Sequence, residues 1–358
     1  MKVGIVDDSG FMRIVLKKIV KQNSNFNFLW DASDGIQAID KLIKDPVDIL
    51  ICDMEMPNLD GIGVLTEIKN RKIKNVSCII VSGQHLSSAP KILDALSLGA
   101  VGFVSKNDES GESNLDTMKR DLNALKDVII QKNNGEKQLL NIKSKKSNQN
   151  QLNFLPNNFL PSKLLVIAGS AGSLDPINDL FFELGDINIP IVVAVHIPKN
   201  LEEYLAQRLN KTSNKNGYKT NFGVFQSLEK GNVSIAKGGI NSIFKRSSID
   251  YNNIIIENID ASSNTYGFTP SIDLLLKSAV ENEIKCDVVL LSGLGKDGTE
   301  GCYLQSKIGG NIFVQSPETA IASSMPESVL KICDVNGCEH PTVIGKFLKK
   351  TWENNKLI

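Results

Sequence analysis

No two cysteines form a C-x-x-C pair in this 358-residue chain, no apolar run approaches the roughly 20 residues of a membrane helix, and histidine occurs only three times. Each shortage narrows the reading. The six cysteines, Cys52, Cys78, Cys286, Cys302, Cys333 and Cys338, are scattered without a C-x-x-C pair, which points to reduced structural thiols rather than a metal centre or disulfide framework. The N-terminus reaches Asp7 and Asp8 too soon for the apolar core of an export signal, so a cytoplasmic protein without membrane insertion is expected. Forty Lys and Arg balance forty Asp and Glu, which leaves no general electrostatic reason to expect nucleic acid or an anionic membrane as partner. A hydrophobic share of 41% against 22% charged residues fits globular folding and excludes wholesale disorder.

The length suggests two domains. From Lys2 to about Gln131, short β-branched runs alternate with amphipathic stretches, giving five βα units with strands at Val3 to Val6, Asn27 to Trp30, Val47 to Cys52, Ser77 to Val81 and Val101 to Val104. The last helix shows its period in Leu115, Met118, Leu122, Leu125 and Ile129. Residues 132 to 161 turn to Asn, Lys, Gln and Ser, a composition too polar to order itself and therefore a linker. A basic nucleic-acid arm is the competing reading, weakened by the lack of Arg and of aromatic residues among its lysines. A second α/β pattern, residues 162 to 350, opens with a strand from Lys163 to Ala168, a Gly/Ser turn, a helix from near Leu174 through Leu184 and a buried strand from Ile191 to Val195.

In an open parallel sheet, ligands sit outside the carboxyl ends of the strands. In the first domain those positions hold Asp7, Asp8, Asp53, Ser82 and Lys106. Three carboxylates brought together repel unless a cation joins them, and hard oxygen ligands favour Mg²⁺. A phosphoryl group on Asp53 would find that metal, the Ser82 hydroxyl and the Lys106 ammonium as partners. Any one of these acids alone is an ordinary loop residue; the coincidence of several strand ends carries the argument.

The second domain offers few general bases. Of His85, His196 and His340, only His196 directly follows a buried strand there, while His340 falls in a Cys338-Glu339-His340-Pro341 loop. Ser170 lies in Ala168-Gly169-Ser170-Ala171-Gly172-Ser173, where small residues permit a sharp turn that exposes a hydroxyl beside helix N–H groups. Asp297, in Gly293-Leu294-Gly295-Lys296-Asp297-Gly298, follows the strand Val288 to Leu291 and is the acid able to orient His196. All three are expected along one edge of the sheet. A phosphate-binding loop or a bare structural turn are the other readings of the Gly/Ser segment, although it lacks both G-x-G-x-x-G and G-K-[ST].

The first domain resembles response-regulator receivers over residues 1 to 131, and Asp53-Met54-Glu55-Met56-Pro57-Asn58-Leu59-Asp60-Gly61 is similar to the wording of their methylesterase branch. Residues 162 to 345 resemble the catalytic domain of chemotaxis protein-glutamate methylesterases, through the serine turn, the strand-His-x-Pro motif, the G-x-G-x-D-G loop, Thr269-Pro270-Ser271-Ile272-Asp273 and Met325-Pro326. The resemblance implies a flavodoxin-like receiver joined to a doubly wound, mostly parallel α/β esterase. It implies Asp53 as acceptor of phosphoryl groups from a chemotaxis histidine kinase, Mg²⁺ on Asp8, Asp53 and the backbone carbonyl of Glu55, and Phe103 as the aromatic switch. It implies Ser170, His196 and Asp297 as nucleophile, base and acid, the backbone N–H of Leu294 in the oxyanion hole, and methyl-accepting chemoreceptors as substrates, with glutamine deamidation as a side activity. Five features depart from the family pattern. Asn107 follows Lys106 in place of Pro, Thr269 replaces Arg, Leu294 replaces Met, Ser173 replaces the last Gly of the serine turn, and Ala236-Lys237-Gly238-Gly239 differs from the usual segment. These departures leave room for a second reading, a weak or inactive receptor-binding module that acts as a phosphoryl sink.

Overall fold

The computed structural model describes residues 1–83, 89–106, 118, 119, 122, 160–186, 188–250, 253–259 and 269–355. His85, Asn107, nearly all of the linker and most of the last receiver helix lie outside the described residues; of that helix Met118 and Leu122 are described, helical and buried. The chain divides into two compact units, Met1–Gln131 and Lys132–Ile358.

In the first unit, β1 (Lys2–Val6), β2 (Asn27–Ala32), β3 (Ile49–Asp53), β4 (Ser77–Ser82) and β5 (Gly102–Ser105) form one parallel sheet in the order β2-β1-β3-β4-β5, which is flavodoxin-like. The helices α1 (Gly10–Lys21), α2 (Gly35–Lys44), α3 (Gly61–Asn70) and α4 (Ala89–Ser97) alternate with the strands. The first three start where a side chain satisfies an orphan N–H: Ser9 accepts from Met12 N at 3.3 Å, Asp34 from Gln37 N at 3.0 Å and Asp60 from Gly63 N at 2.8 Å. β3 begins at Ile49 rather than Val47, and just before it the Asp48 carboxylate accepts from the backbone N–H of Lys2 at 2.7 Å. The central strands are apolar along most of their length because helices cover both faces, and Ile5, Ile49, Leu50, Ile51, Ile79 and Ile80 are almost wholly buried.

In the second unit, β6 (Leu165–Gly169), β7 (Ile191–Val195), β8 (Asn221–Gly223), β9 (Asn232–Ile235), β12 (Asp287–Leu290), β13 (Ile312–Gln315) and β14 (Gly337–Glu339) form a parallel sheet ordered β14-β13-β12-β6-β7-β9-β8. β10 (Asn241–Arg246) and β11 (Ile254–Ile259) make a separate antiparallel pair. The helices are α5 (Leu174–Leu184), α6 (Glu202–Lys215), α7 (Ile272–Glu281), α8 (Thr299–Lys307), α9 (Ser324–Ile332) and α10 (Pro341–Asn354). A buried carboxylate, Asp287, ties the start of this unit down by accepting from Ser162 N at 2.9 Å and Asn311 Nδ2 at 2.6 Å. The order of strands reverses around β6, with β12 on one side and β7 on the other, and at such a switch point a crevice opens outside the carboxyl ends. His340, placed by its sequence in a loop, is the N-cap of α10: its Nδ1 accepts from Thr342 N at 3.3 Å. All six cysteines are unpaired and five are buried. Among the described residues no helix is long and apolar enough to cross a membrane.

Candidate functional site

Ser170 follows β6, His196 follows β7 and Asp297 lies in the loop between β12 and α8. They meet at the carboxyl ends of the three central strands rather than along an edge of the sheet. His196 Nδ1 is 3.1 Å from Ser170 Oγ, and its Nε2 is 2.8 Å from Asp297 Oδ2. With Asp297 ionised, the ring donates its Nε2 proton to Asp297, and Nδ1 accepts from the serine hydroxyl. Both Ser170 and His196 are less than a tenth exposed.

The serine turn is held from three sides. Ser170 N donates to Ser292 O at 2.9 Å, and Ser173 closes the turn by donating from its N and its Oγ to Ser170 O, at 3.0 and 2.7 Å. A glycine at 173 would forgo the second of these bonds, so this departure from the family pattern adds a tie. Ser292, fully buried and not legible as a site residue, donates from Oγ to Ala171 O at 2.8 Å and accepts from Ala322 N at 3.0 Å. At Gly293 an added Cβ would stand 2.1 Å from Met325 Sδ and 2.9 Å from Ser170 Cβ, so only glycine lets this loop approach the serine.

Five donors surround Asp297. Ile272 N and Asp273 N, in the first turn of α7, donate at 2.7 and 2.9 Å, Gly298 N at 3.0 Å, Ser271 Oγ at 3.2 Å, and His196 completes the set. Burial works against the charged carboxylate, but the hydrogen bond and charge of His196, with the α7 backbone donors, outweigh it and hold Asp297 below the ordinary range. Asp273 goes the other way: burial, then the neighbouring Asp297, push its carboxyl up to about 6.

Leu294 is buried beside the serine turn. Its neighbours are engaged, Gly293 N with Ala322 O at 2.9 Å and Gly295 N with Ser324 Oγ at 3.0 Å, while among the described residues the Leu294 N–H has no acceptor. A backbone donor is indifferent to the Leu-for-Met change at this position. The Ala236 to Gly239 turn lies against the histidine loop, since a Cβ on Gly238 would come within 2.2 Å of Pro198 O.

In the first unit the carboxylate oxygens of Asp7, Asp8 and Asp53 lie within 4.8 Å of one another, at the β1/β3 switch point. Lys106 Nζ reaches Asp53 Oδ1 at 2.8 Å and Asp7 Oδ2 at 3.0 Å. Burial raises the Asp53 carboxyl to about 6, opposed by Lys106 and reinforced by Asp7 and Asp8. One ammonium against three acids leaves excess negative charge on hard oxygen donors, and a small divalent cation fits that set. Ser82 Oγ donates to Gly83 O at 3.1 Å, Phe103 is half-buried on β5, and the exposed side chain of Glu55 pairs with Lys91 at 3.2 Å. Arg13, outside the motifs of the sequence, braces the acidic loop by donating to Asp7 O at 2.8 Å and Asp8 O at 3.1 Å.

Residues 165–348 match the CheB methylesterase family model and residues 3–118 match the response regulator receiver domain. The chain is 31% identical to a protein-glutamate methylesterase/protein-glutamine glutaminase of Thermotoga maritima over 92% of each chain. It is 29% identical to one of Caldanaerobacter subterraneus over 92% of this chain and 91% of the other. With more than half of its length matched by the methylesterase model, and a receiver domain preceding it, the chain belongs to the CheB methylesterase family.

Proposed function

We propose that this protein is a serine hydrolase that removes methyl groups from glutamyl esters on methyl-accepting chemoreceptors and deamidates receptor glutamines, under control of phosphorylation at Asp53. Its domains are the receiver at residues 1 to 131, a polar linker at 132 to 161 and the esterase from 162, and it works in the cytoplasm beside its chemotaxis histidine kinase. The observation that carries the reading is the unbroken line from Ser170 Oγ through His196 to Asp297, inside a domain of the methylesterase family.

Ser170 attacks the ester carbonyl as its proton passes to His196 Nδ1, and the ionised Asp297 stabilises the imidazolium that forms. The Leu294 N–H is the donor offered to the developing oxyanion. His196 returns the proton to the leaving methoxide, methanol departs, and a water deprotonated by the same nitrogen attacks the acyl-enzyme; His196 then gives that proton to the leaving Ser170 oxygen as the glutamate carboxylate is released. In the receiver, Asp8, Asp53 and the carbonyl of Glu55 would hold Mg²⁺, which offsets charge on an incoming phosphoryl group. Lys106 pairs with Asp53 before transfer and is within reach of phosphoryl oxygens after it.

The departures at Thr269, Ser173 and Leu294 remove no member of the hydrogen-bonded line, so nothing favours the inactive phosphoryl sink. Methanol release from methylated receptor membranes, with and without a small-molecule phosphodonor, separates the two. A hydrolase releases methanol in amounts far above one per enzyme, and a sink releases none.

A further inference from the structure

Asp273 is a buried carboxylate that the reaction as written does not use. It lies in the first turn of α7, and its Oδ1 accepts from Gly301 N, in the first turn of α8, at 2.7 Å. The residue at the N-cap of α8 is Gly298, at φ +87°, which has no side chain to offer. Asp273 therefore takes, from the neighbouring helix, the orphan N–H that a capping Ser or Asp would normally satisfy. Asp297 does the converse: it precedes α8 in the chain and accepts from Ile272 N and Asp273 N at the start of α7. The two helix starts thus exchange caps. They also pack without slack, because a Cβ on Gly301 would stand 2.6 Å from Leu276 Cβ and one on Gly298 would stand 2.9 Å from Ile272 Cγ2.

We propose that Asp273 is a positioning residue: by capping α8 it locks the Asp297 loop onto α7 so that Asp297 Oδ2 stays on His196 Nε2. The inference rests on Asp297 being the acid of the hydrolytic line. Asp273 makes no hydrogen bond to His196 or Ser170 among the described residues, and its link to the reacting groups runs through Asp297, which accepts from its N–H at 2.9 Å. A second buried anion beside Asp297 is electrostatically unfavourable, and the Gly301 N–H and the positive end of α8 offset part of that cost. Charged groups near it are Asp297 from the loop, Glu300 from α8 and Lys277 from α7, the last two paired at 2.7 Å.

The test compares Asp273→Ala, Asp273→Asn and Asp273→Glu in the full chain, with Ser170→Ala in the same methanol-release assay. Asn keeps an acceptor at the reach of Asp. Glu keeps the charge but displaces the carboxylate by one methylene. The expected order of kcat is wild type, then Asn within a few-fold, with Ala and Glu about 10–100-fold lower and KM little changed, because misplacement of a catalytic group by about 1 Å has effects of that size. The proton NMR signal of the His196 Nε2–H, far downfield when bonded to a buried carboxylate, should persist in Asn and shift or broaden in Ala and Glu. Wild-type kcat in folded Asp273→Ala overturns the proposal. Should that variant fail to fold, Glu matching or exceeding Asn overturns it equally, since that order belongs to charge and not to position. Activity surviving in Ser170→Ala would instead mark failure of the hydrolase assignment itself.

Discussion

Replacing Asp53 by Asn removes one buried negative charge from a pocket that holds three acids and one ammonium. The carboxyl of Asp53 titrates at about 6 in the folded chain against an ordinary 3.8, so the folded state holds its proton more tightly than the unfolded state does. A raised carboxyl makes the folded protein relatively more stable at low pH and less stable as pH rises from about 4 through about 6, with a plateau above. The displacement from 3.8 to about 6 corresponds to about 3 kcal/mol as an upper limit. Asp8 is exposed at the mouth of the pocket and water screens part of the repulsion there, which brings the expected gain for Asp53→Asn down to about 1–2 kcal/mol at pH 7.5. Urea unfolding of the full chain, followed by Trp30 fluorescence in a Trp352→Phe background, reports on the receiver because Trp30 is buried there and bonded to Asp45 O at 2.8 Å. In EDTA the Asn variant should unfold at higher urea at pH 7.5, and the difference should shrink toward pH 4. Mg²⁺ at about 100 times its Kd should return up to about 2.7 kcal/mol to the wild type and less to the variant. A variant equal to or less stable than wild type at pH 7.5 in EDTA would refute the view of the pocket as a strained, cation-seeking cluster.

Two further outcomes follow from other parts of the molecule. His340→Ala should leave kcat unchanged and lower stability by about 1 kcal/mol, measured by urea midpoint at equal slope, because it removes the N-cap of α10 and touches none of the reacting groups. A fragment starting near Asn150 should release methanol faster than the unphosphorylated full chain, and a phosphodonor should raise the full chain toward the fragment's rate; equal rates in all three would reject control of the esterase by the receiver.

The strands and helices are most legible where apolar runs are long and flanked by clear breaks. The helix expected from near Leu174 to Leu184 and the strand expected from Ile191 to Val195 lie at those residues, and every receiver strand is found within two residues of its expected bounds. Ser170, His196 and Asp297 can be picked out because the first two stand just past strand ends and the third lies in the loop after a strand, the serine and the acid in segments rich in small residues. What supports them cannot. The ties that matter join residues far apart in the chain: Ser292 to Ala171 across 121 residues, Asp297 to the start of α7 across 24, and Asp273 to Gly301 across 28. Such pairs leave no local period. His340 is hidden for the opposite reason, since a histidine before Pro341 has the look of a loop and only the following helix makes it a cap. Ser173 reads as a loss against the family pattern, yet its hydroxyl gives the turn a hydrogen bond that glycine cannot.

The most direct test of the account is methanol release by Ser170→Ala beside the wild type, on the same methylated receptor membranes with saturating phosphodonor. Removing the nucleophile of a triad lowers kcat by about 10⁶-fold in a well-studied serine protease. Release should fall to background in a variant whose urea unfolding matches the wild type, and release at near wild-type rate from that folded variant would contradict the assignment of Ser170 as nucleophile.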